Sequence, residues 1–205
     1  MKPYKEEEIN ANSPFPVDIF IRDNLKENIT ADPHWHDCYE ILFMLEGTAV
    51  QIINDKYYKV YKNDLIILNQ GDIHGTYCAP GENIKILVVK FLPELINSNS
   101  VKMFESKYIL SFLNNKGERI HHLSDTSRNS LKLYKLMMEL YEEFLLKETG
   151  FEIYVKGYIY QLIACLVRDG VIKINYSLEN SKNHDKLDRL FKYIEDNYNM
   201  DINLQ

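Results

Sequence analysis

Between Val17 and Phe91 the apolar residues come in short runs separated by turn-forming residues. Tyr39–Leu45, Thr48–Ile53 and Leu65–Leu68 are of strand length and rich in aromatic and β-branched side chains. Asn54-Asp55 falls between two such runs and predicts a hairpin turn. Gly47, Gly71-Asp72 and Ala79-Pro80-Gly81 separate the others. Short strands spaced this closely predict an antiparallel sandwich or barrel over residues 17–92. Residues 1–16 are polar, contain Pro3, Pro14 and Pro16, and read as a mobile arm.

After Pro93 the period changes. Leu133, Leu136, Met137, Leu140, Tyr141 and Phe144 recur at helical spacing, as do Val155, Tyr158, Ile159, Leu162, Ile163 and Leu166. Gly150 stands between the two stretches as the break of an αα-hairpin, and Gly170 closes the second helix. Residues 175–184 are Ser/Asn-rich and polar, a linker, and Leu187, Leu190, Ile194 and Tyr198 place one further helix after it. The fold class is mainly β with appended α. Two successive amphipathic helices on a barrel offer a surface to a second copy. The expectation is a homodimer with Leu133, Met137, Leu140, Phe144, Val155, Ile159, Leu162 and Leu166 in its interface.

Length and composition narrow this picture. A chain of 205 residues holds one sizeable domain, or a domain with an appendage. It has no apolar run long enough to span a membrane, and Met1–Glu8 lacks the apolar stretch of a secretory signal. Three cysteines, Cys38, Cys78 and Cys165, without CxxC spacing read as free thiols, which places the protein in a reducing cytoplasm. The formal charge is −6, and no Lys/Arg-rich stretch offsets it. Phosphate contacts dominate nucleic-acid affinity, so these residues are not expected to hold DNA themselves.

The candidate chemistry starts at His34-Trp35-His36. Strand residues two apart share a face, so the two imidazoles project together, and Trp35 points the other way, outside the barrel. Glu40 has the parity of His36. His74 follows the Gly71-Asp72 turn on a later run and meets the other three only if the sheet closes. Three imidazoles and a carboxylate form a ligand set for one divalent transition metal (Zn, Ni, Fe or Mn), with positions left for water or a ligand. The same side chains can instead bind the hydroxyls of an organic effector. His34, His36, Glu40 and His74 are therefore both the candidate metal ligands and the candidate effector pocket. Glu6-Glu7-Glu8 reads as a solvated run, and His121-His122 as surface, since neighbours on a strand face opposite ways.

These positions resemble two known motifs. His34-x-His36-x3-Glu40-x6-Gly47 has the spacing of the first cupin motif, with Asn28 where its opening glycine stands. Gly71 and His74 match the second motif, in which Asn63 replaces a glycine, Asn69 a proline and Cys78 an asparagine. Asn tolerates the left-handed backbone that glycine adopts. The likeness covers roughly residues 28–91. His34-Trp35-His36-Asp37-Cys38-Tyr39-Glu40-Ile41, followed by Asn69-Gln70-Gly71-Asp72-Ile73-His74, is also similar to the sensor domains of AraC-type transcription regulators.

That resemblance implies a cupin (jelly-roll) barrel over 17–92, a helical dimerisation segment over 93–174 and a linker over 175–184. Residues 185–205 are similar to the first helix of a helix-turn-helix DNA-binding domain, cut off where it begins. The implied function is an effector-sensing and dimerisation module, not an enzyme. A sugar or other metabolite would sit in the barrel, and DNA would be contacted only through the missing domain. The rival is a metal-dependent cupin enzyme of dioxygenase or sugar-isomerase type using the same histidines. The helix-linker-helix layout favours the regulator. In a gel shift at physiological salt, the 205-residue chain should leave duplex DNA unretarded; a salt-sensitive, sequence-specific complex would contradict the charge argument.

Overall fold

A computed structural model describes residues 2–6, 14–23, 31–79, 81–96, 106–114, 121–124, 126 and 130–174. The linker at 175–184, the helix placed at 185–205 and Asn28 lie outside the described residues. The strands are β1 (Tyr4–Lys5), β2 (Val17–Asp23), β3 (Ala31–Trp35), β4 (Tyr39–Glu46) and β5 (Thr48–Ile53). They continue with β6 (Lys56–Tyr61), β7 (Leu65–Leu68), β8 (His74–Tyr77), β9 (Lys85–Phe91) and β10 (His122–Leu123). The helices are α1 (Ser106–Asn114), α2 (Ser130–Leu146) and α3 (Phe151–Arg168). The strands form two five-stranded sheets, ordered β1-β3-β8-β5-β6 and β10-β7-β4-β9-β2. Neighbours pair antiparallel except β1, which runs parallel to β3. The fold is a jelly-roll with helices on one side.

Turn chemistry sets the hairpins. Asn54 and Asp55 both take positive φ (46° and 67°), the two-residue turn whose twist matches that of β5 and β6. Asn63, at the place of the second motif's glycine, is left-handed too, with φ 67°.

Strands β4, β7 and β9 are covered on both faces. Along β4, Tyr39, Ile41 and Phe43 join one apolar cluster, while Leu42 and Met44 join another. The same alternation separates Leu65 and Ile67 from Ile66 and Leu68 on β7, and Leu87 and Val89 from Ile86 and Val88 on β9. One set packs under the helices, and the other fills the barrel with Ala49, Ile53 and Val60 of the second sheet. This is why these strands read as almost continuous apolar runs.

The hairpin α2–α3 turns at Gly150, whose φ of 91° glycine adopts without steric cost. α3 is closed just past its end by Gly170, where the Val171 N–H donates to the Leu166 carbonyl (3.0 Å) and the Gly170 N–H to Val167 (3.1 Å). Here the expected dimer interface is corrected. Leu133, Met137, Leu140, Val155, Ile159, Leu162 and Leu166 are buried in the chain's own core, and Phe144 packs against it. The helical stripe faces the outer side of the sheet, which would otherwise stand bare. The exposed apolar residues of the hairpin are different ones: Leu131, Tyr134, Leu145, Leu146, Ile153 and Tyr154.

Two further expectations change. The stretch after Pro93 is not helical throughout, since β10 pairs with β7 (His122↔Ile66, Leu123↔Leu65) and adds an edge strand to the barrel sheet. The arm is not wholly mobile, since Tyr4 and Lys5 pair with His34 and Trp35. No helix among the described residues is long and apolar enough to cross a membrane.

Leu140→Ala should lower the free energy of unfolding by about 2–5 kcal/mol, the usual cost of a truncated core leucine. Leu131→Glu, on the exposed side of α2, should stay within about 0.5 kcal/mol. Urea unfolding measures both; a Leu140 variant of unchanged stability would remove the intramolecular assignment.

Candidate functional site

The four candidate residues come together where the two sheets meet. His34 on β3 lies opposite His74 on β8, which in turn pairs with Ile53 on β5. Glu40 opens β4 in the other sheet, and His36 sits in the connection between β3 and β4. All four are buried, and one ligand atom from each lies within 4.8 Å of every other. The ring centroids of His34 and His74 are 4.2 Å apart, and those of His36 and His74 are 4.9 Å apart.

Backbone carbonyls settle which ring nitrogens face inward. His34 Nδ1 lies 2.7 Å from the Asp32 carbonyl, His36 Nδ1 3.1 Å from Cys38 and His74 Nδ1 2.9 Å from Asp72. A carbonyl only accepts, so each Nδ1 carries the proton and donates it. In a neutral ring Nε2 is then the lone pair, the form and orientation in which histidine ligates metals. His36 Nε2 is 2.5 Å and His74 Nε2 3.3 Å from the same Glu40 oxygen, Oε2. Two lone pairs cannot face each other at 2.5 Å, so a proton lies between His36 Nε2 and Glu40; a metal ion, which stands about 2.0–2.2 Å from each donor, would replace that proton and part the two groups. His74 Nε2 is buried and makes no well-aligned hydrogen bond among the described residues, although the carboxylate is near. This orphaned nitrogen, with the tautomers, fits the donor set to a divalent transition ion. Such an ion would be held by His34, His36, Glu40 and His74 and would supply a Lewis-acidic anchor for a ligand oxygen.

Electrostatics keep the carboxylate charged. Burial pushes Glu40 up, but the hydrogen bond with His36, the adjacent His74 ring and the nearby Lys90 charge hold it well below the usual carboxylate range. Burial and the neighbouring His74 lower His34, which favours its neutral, ligating form. Burial drives the Cys38 thiol up to about 12, so it is an inert neutral neighbour of His36, with Sγ 3.2 Å from Nδ1.

Sequence reasoning missed two charged members. Lys90, the cross-strand partner of Glu40 on β9, is buried with Nζ 3.7 Å from Glu40 Oε2. A lysine in the otherwise apolar run Ile86–Phe91 was the available signal. Glu6, read as part of a solvated run, is half-buried and hydrogen-bonds Lys90, with Oε2 3.7 Å from His34 Nε2. His121 and His122 are not free surface residues either. His121 is buried and donates from Nδ1 to the Ile67 carbonyl (2.8 Å), while His122 Nε2 lies 2.8 Å from Asp64. Neither belongs to the His34–His74 cluster. Trp35 is half-buried beneath the Lys5 ammonium, which lies 5.1 Å from its ring.

The chain has distant likenesses among solved structures and one family match. Among solved structures, a conserved protein of unknown function from Streptococcus pyogenes is 22% identical over 38% of this chain and 66% of that one, with a TM-score of 0.34. The polyketide cyclase RemF from Streptomyces resistomycificus is 22% identical over 38% and 56%, TM-score 0.35. A cupin superfamily protein from Desulfitobacterium hafniense is 17% identical over 38% and 68%, TM-score 0.34. The matched part is about two thirds of those chains or less, and likeness at this level carries nothing about ligand or reaction. No curated protein matches the chain. The AraC-like ligand binding domain, in contrast, matches residues 16–163, from the start of the barrel into α3. The chain belongs to the AraC-like ligand binding domain family.

Proposed function

We propose that this chain is the effector-sensing module of a transcription regulator, with a small molecule bound at the His34–His36–Glu40–His74 cluster. Membership of a ligand-binding family supports a binding role. The observation that carries the reading is where the cluster sits. His34 stacks on Tyr4 of the arm at 5.7 Å, and Glu40 lies on a strand whose opposite face carries the helices. An occupant of the cluster therefore touches segments able to relay its presence to a DNA-binding domain. In this reading the module pairs with a second copy through the exposed tip of the hairpin, where Leu145, Leu146, Ile153 and Tyr154 leave apolar surface uncovered.

The donor set also supports a bound divalent metal, which anchors the effector or, in the rival reading, activates a substrate. Reconstitution with Zn, Ni, Mn or Fe under anaerobic conditions tests the metal. A ligand at a hundred times its dissociation constant adds about 2.7 kcal/mol, so the melting midpoint should rise by roughly 5–10 °C in a domain of this size. His36→Ala and His74→Ala should abolish the rise. Affinity should fall below about pH 6, where protons compete for Nε2, and burial together with the neighbouring His74 makes His34 the more resistant to protonation. A midpoint indifferent to all four metals would leave an organic pocket and remove the enzyme reading.

A melting screen against metabolites then separates regulator from enzyme. The regulator reading expects a compound that raises the midpoint and is recovered unchanged. Metal-dependent turnover of that compound would overturn it in favour of the enzyme.

A further inference from the structure

The class of ligand is written in the partners of Lys90. This residue faces the barrel interior with Ile86 and Val88, 7% exposed. A buried ammonium requires a hydrogen-bonded partner. The barrel itself offers it Glu40, at 3.7 Å, beyond hydrogen-bonding distance. The carboxylate that Lys90 does hydrogen-bond is Glu6, which belongs to the arm.

Among the described residues the arm meets the barrel through a short parallel pairing, the Tyr4–His34 stack and Lys5 over Trp35. β1 is two residues long, the Tyr4 ring is half exposed, and the Lys5–Asp37 ion pair (2.6 Å) lies in solvent, where such pairs contribute little. The Glu6 N–H also donates to the Trp35 carbonyl (2.9 Å). A buried cation of the barrel, already paired at longer range with Glu40, thus takes its hydrogen-bonded carboxylate from the arm. A second donor waits in the same interior. Gln51 shares the inward face of β5 with Ala49 and Ile53, and its Oε1 accepts from Thr76 (2.6 Å). Its Nε2 is buried and has no hydrogen-bond partner among the described residues.

We propose that Glu6 is a stand-in for the carboxylate of a small anionic ligand, which takes its place on Lys90 and expels the arm. The inference rests on the effector-pocket reading and names the ligand class for it. Exchange of one carboxylate for another leaves the cluster's charge unchanged. A neutral sugar displacing Glu6 would remove the hydrogen-bonded carboxylate from Lys90 and leave it only the looser ion pair with Glu40 at 3.7 Å, a loss that a carboxylate ligand avoids. The pocket therefore selects organic acids over their neutral isosteres.

Trp35 is the chain's one tryptophan, and it lies against the arm through Lys5 and Glu6. Its fluorescence reports arm release. Titration with lactate should give a saturable change, and lactamide, matched in shape but neutral, should bind at least about a hundredfold more weakly. Glu6→Gln should tighten lactate by about tenfold, the factor recovered when a competitor holding the site roughly nine-tenths of the time is removed. Lys90→Met should erase the preference for lactate over lactamide. Equal responses to the two probes, no lactate response in the metal-loaded protein, or an unchanged lactate affinity in Glu6→Gln would each overturn the proposal. Binding of lactamide or glycerol without lactate would do so while leaving the effector pocket standing.

Discussion

Double burial of the sheet that carries β4 and β9 governs where a charge can stand in this molecule. One face of that sheet packs under α2 and α3 and the other fills the barrel, so each strand alternates between two apolar surroundings. Glu40 and Lys90 occupy barrel-side positions opposite each other. A one-residue slip of β4 would turn Glu40 under the helices and Tyr39 into the histidine cluster. Register, set by packing along the whole strand, thus places the carboxylate to within the tolerance that the imidazoles require.

The histidines are aligned by backbone rather than by one another. Each Nδ1 is tied to a carbonyl within two residues of its own position, which commits Nε2 to the centre before any occupant arrives. Preorganisation of this kind removes the ordering cost from binding. Glu40, kept ionised by its neighbours despite its burial, supplies the negative charge that a bound cation would otherwise have to induce. An arm residue and a barrel lysine complete the ionic set, so this centre is assembled from four separate stretches of the chain, at Glu6, His34–Glu40, His74 and Lys90.

The barrel was legible because short apolar runs cut by turn residues before Pro93, and helical spacing after it, are strong local signals. The metal-type cluster was legible because His34, His36 and Glu40 share a parity and His74 follows a glycine turn. What sequence patterning could not supply was partnership. The stripe Leu133–Leu166 has the look of any amphipathic surface, and only the bare outer face of the sheet explains why it is buried within the chain. Glu6 sits in an acidic run that resembles countless solvated ones; its meaning depends on Lys90, 84 residues away. β10 is two residues long and carries no periodicity at all, so no pattern announces it.

That short strand has a consequence for how the domain can be divided. By capping the edge of β7, with His121 and His122 tied to Ile67 and Asp64, β10 closes a hydrogen-bonding ladder that would otherwise template pairing with another chain. The segment that delivers it leads directly into the hairpin that covers the sheet's outer face. Barrel and helices are therefore one cooperative unit. A fragment ending at Leu92 would present both a raw edge and an uncovered apolar face, and would be driven towards aggregation before it could be asked what it binds.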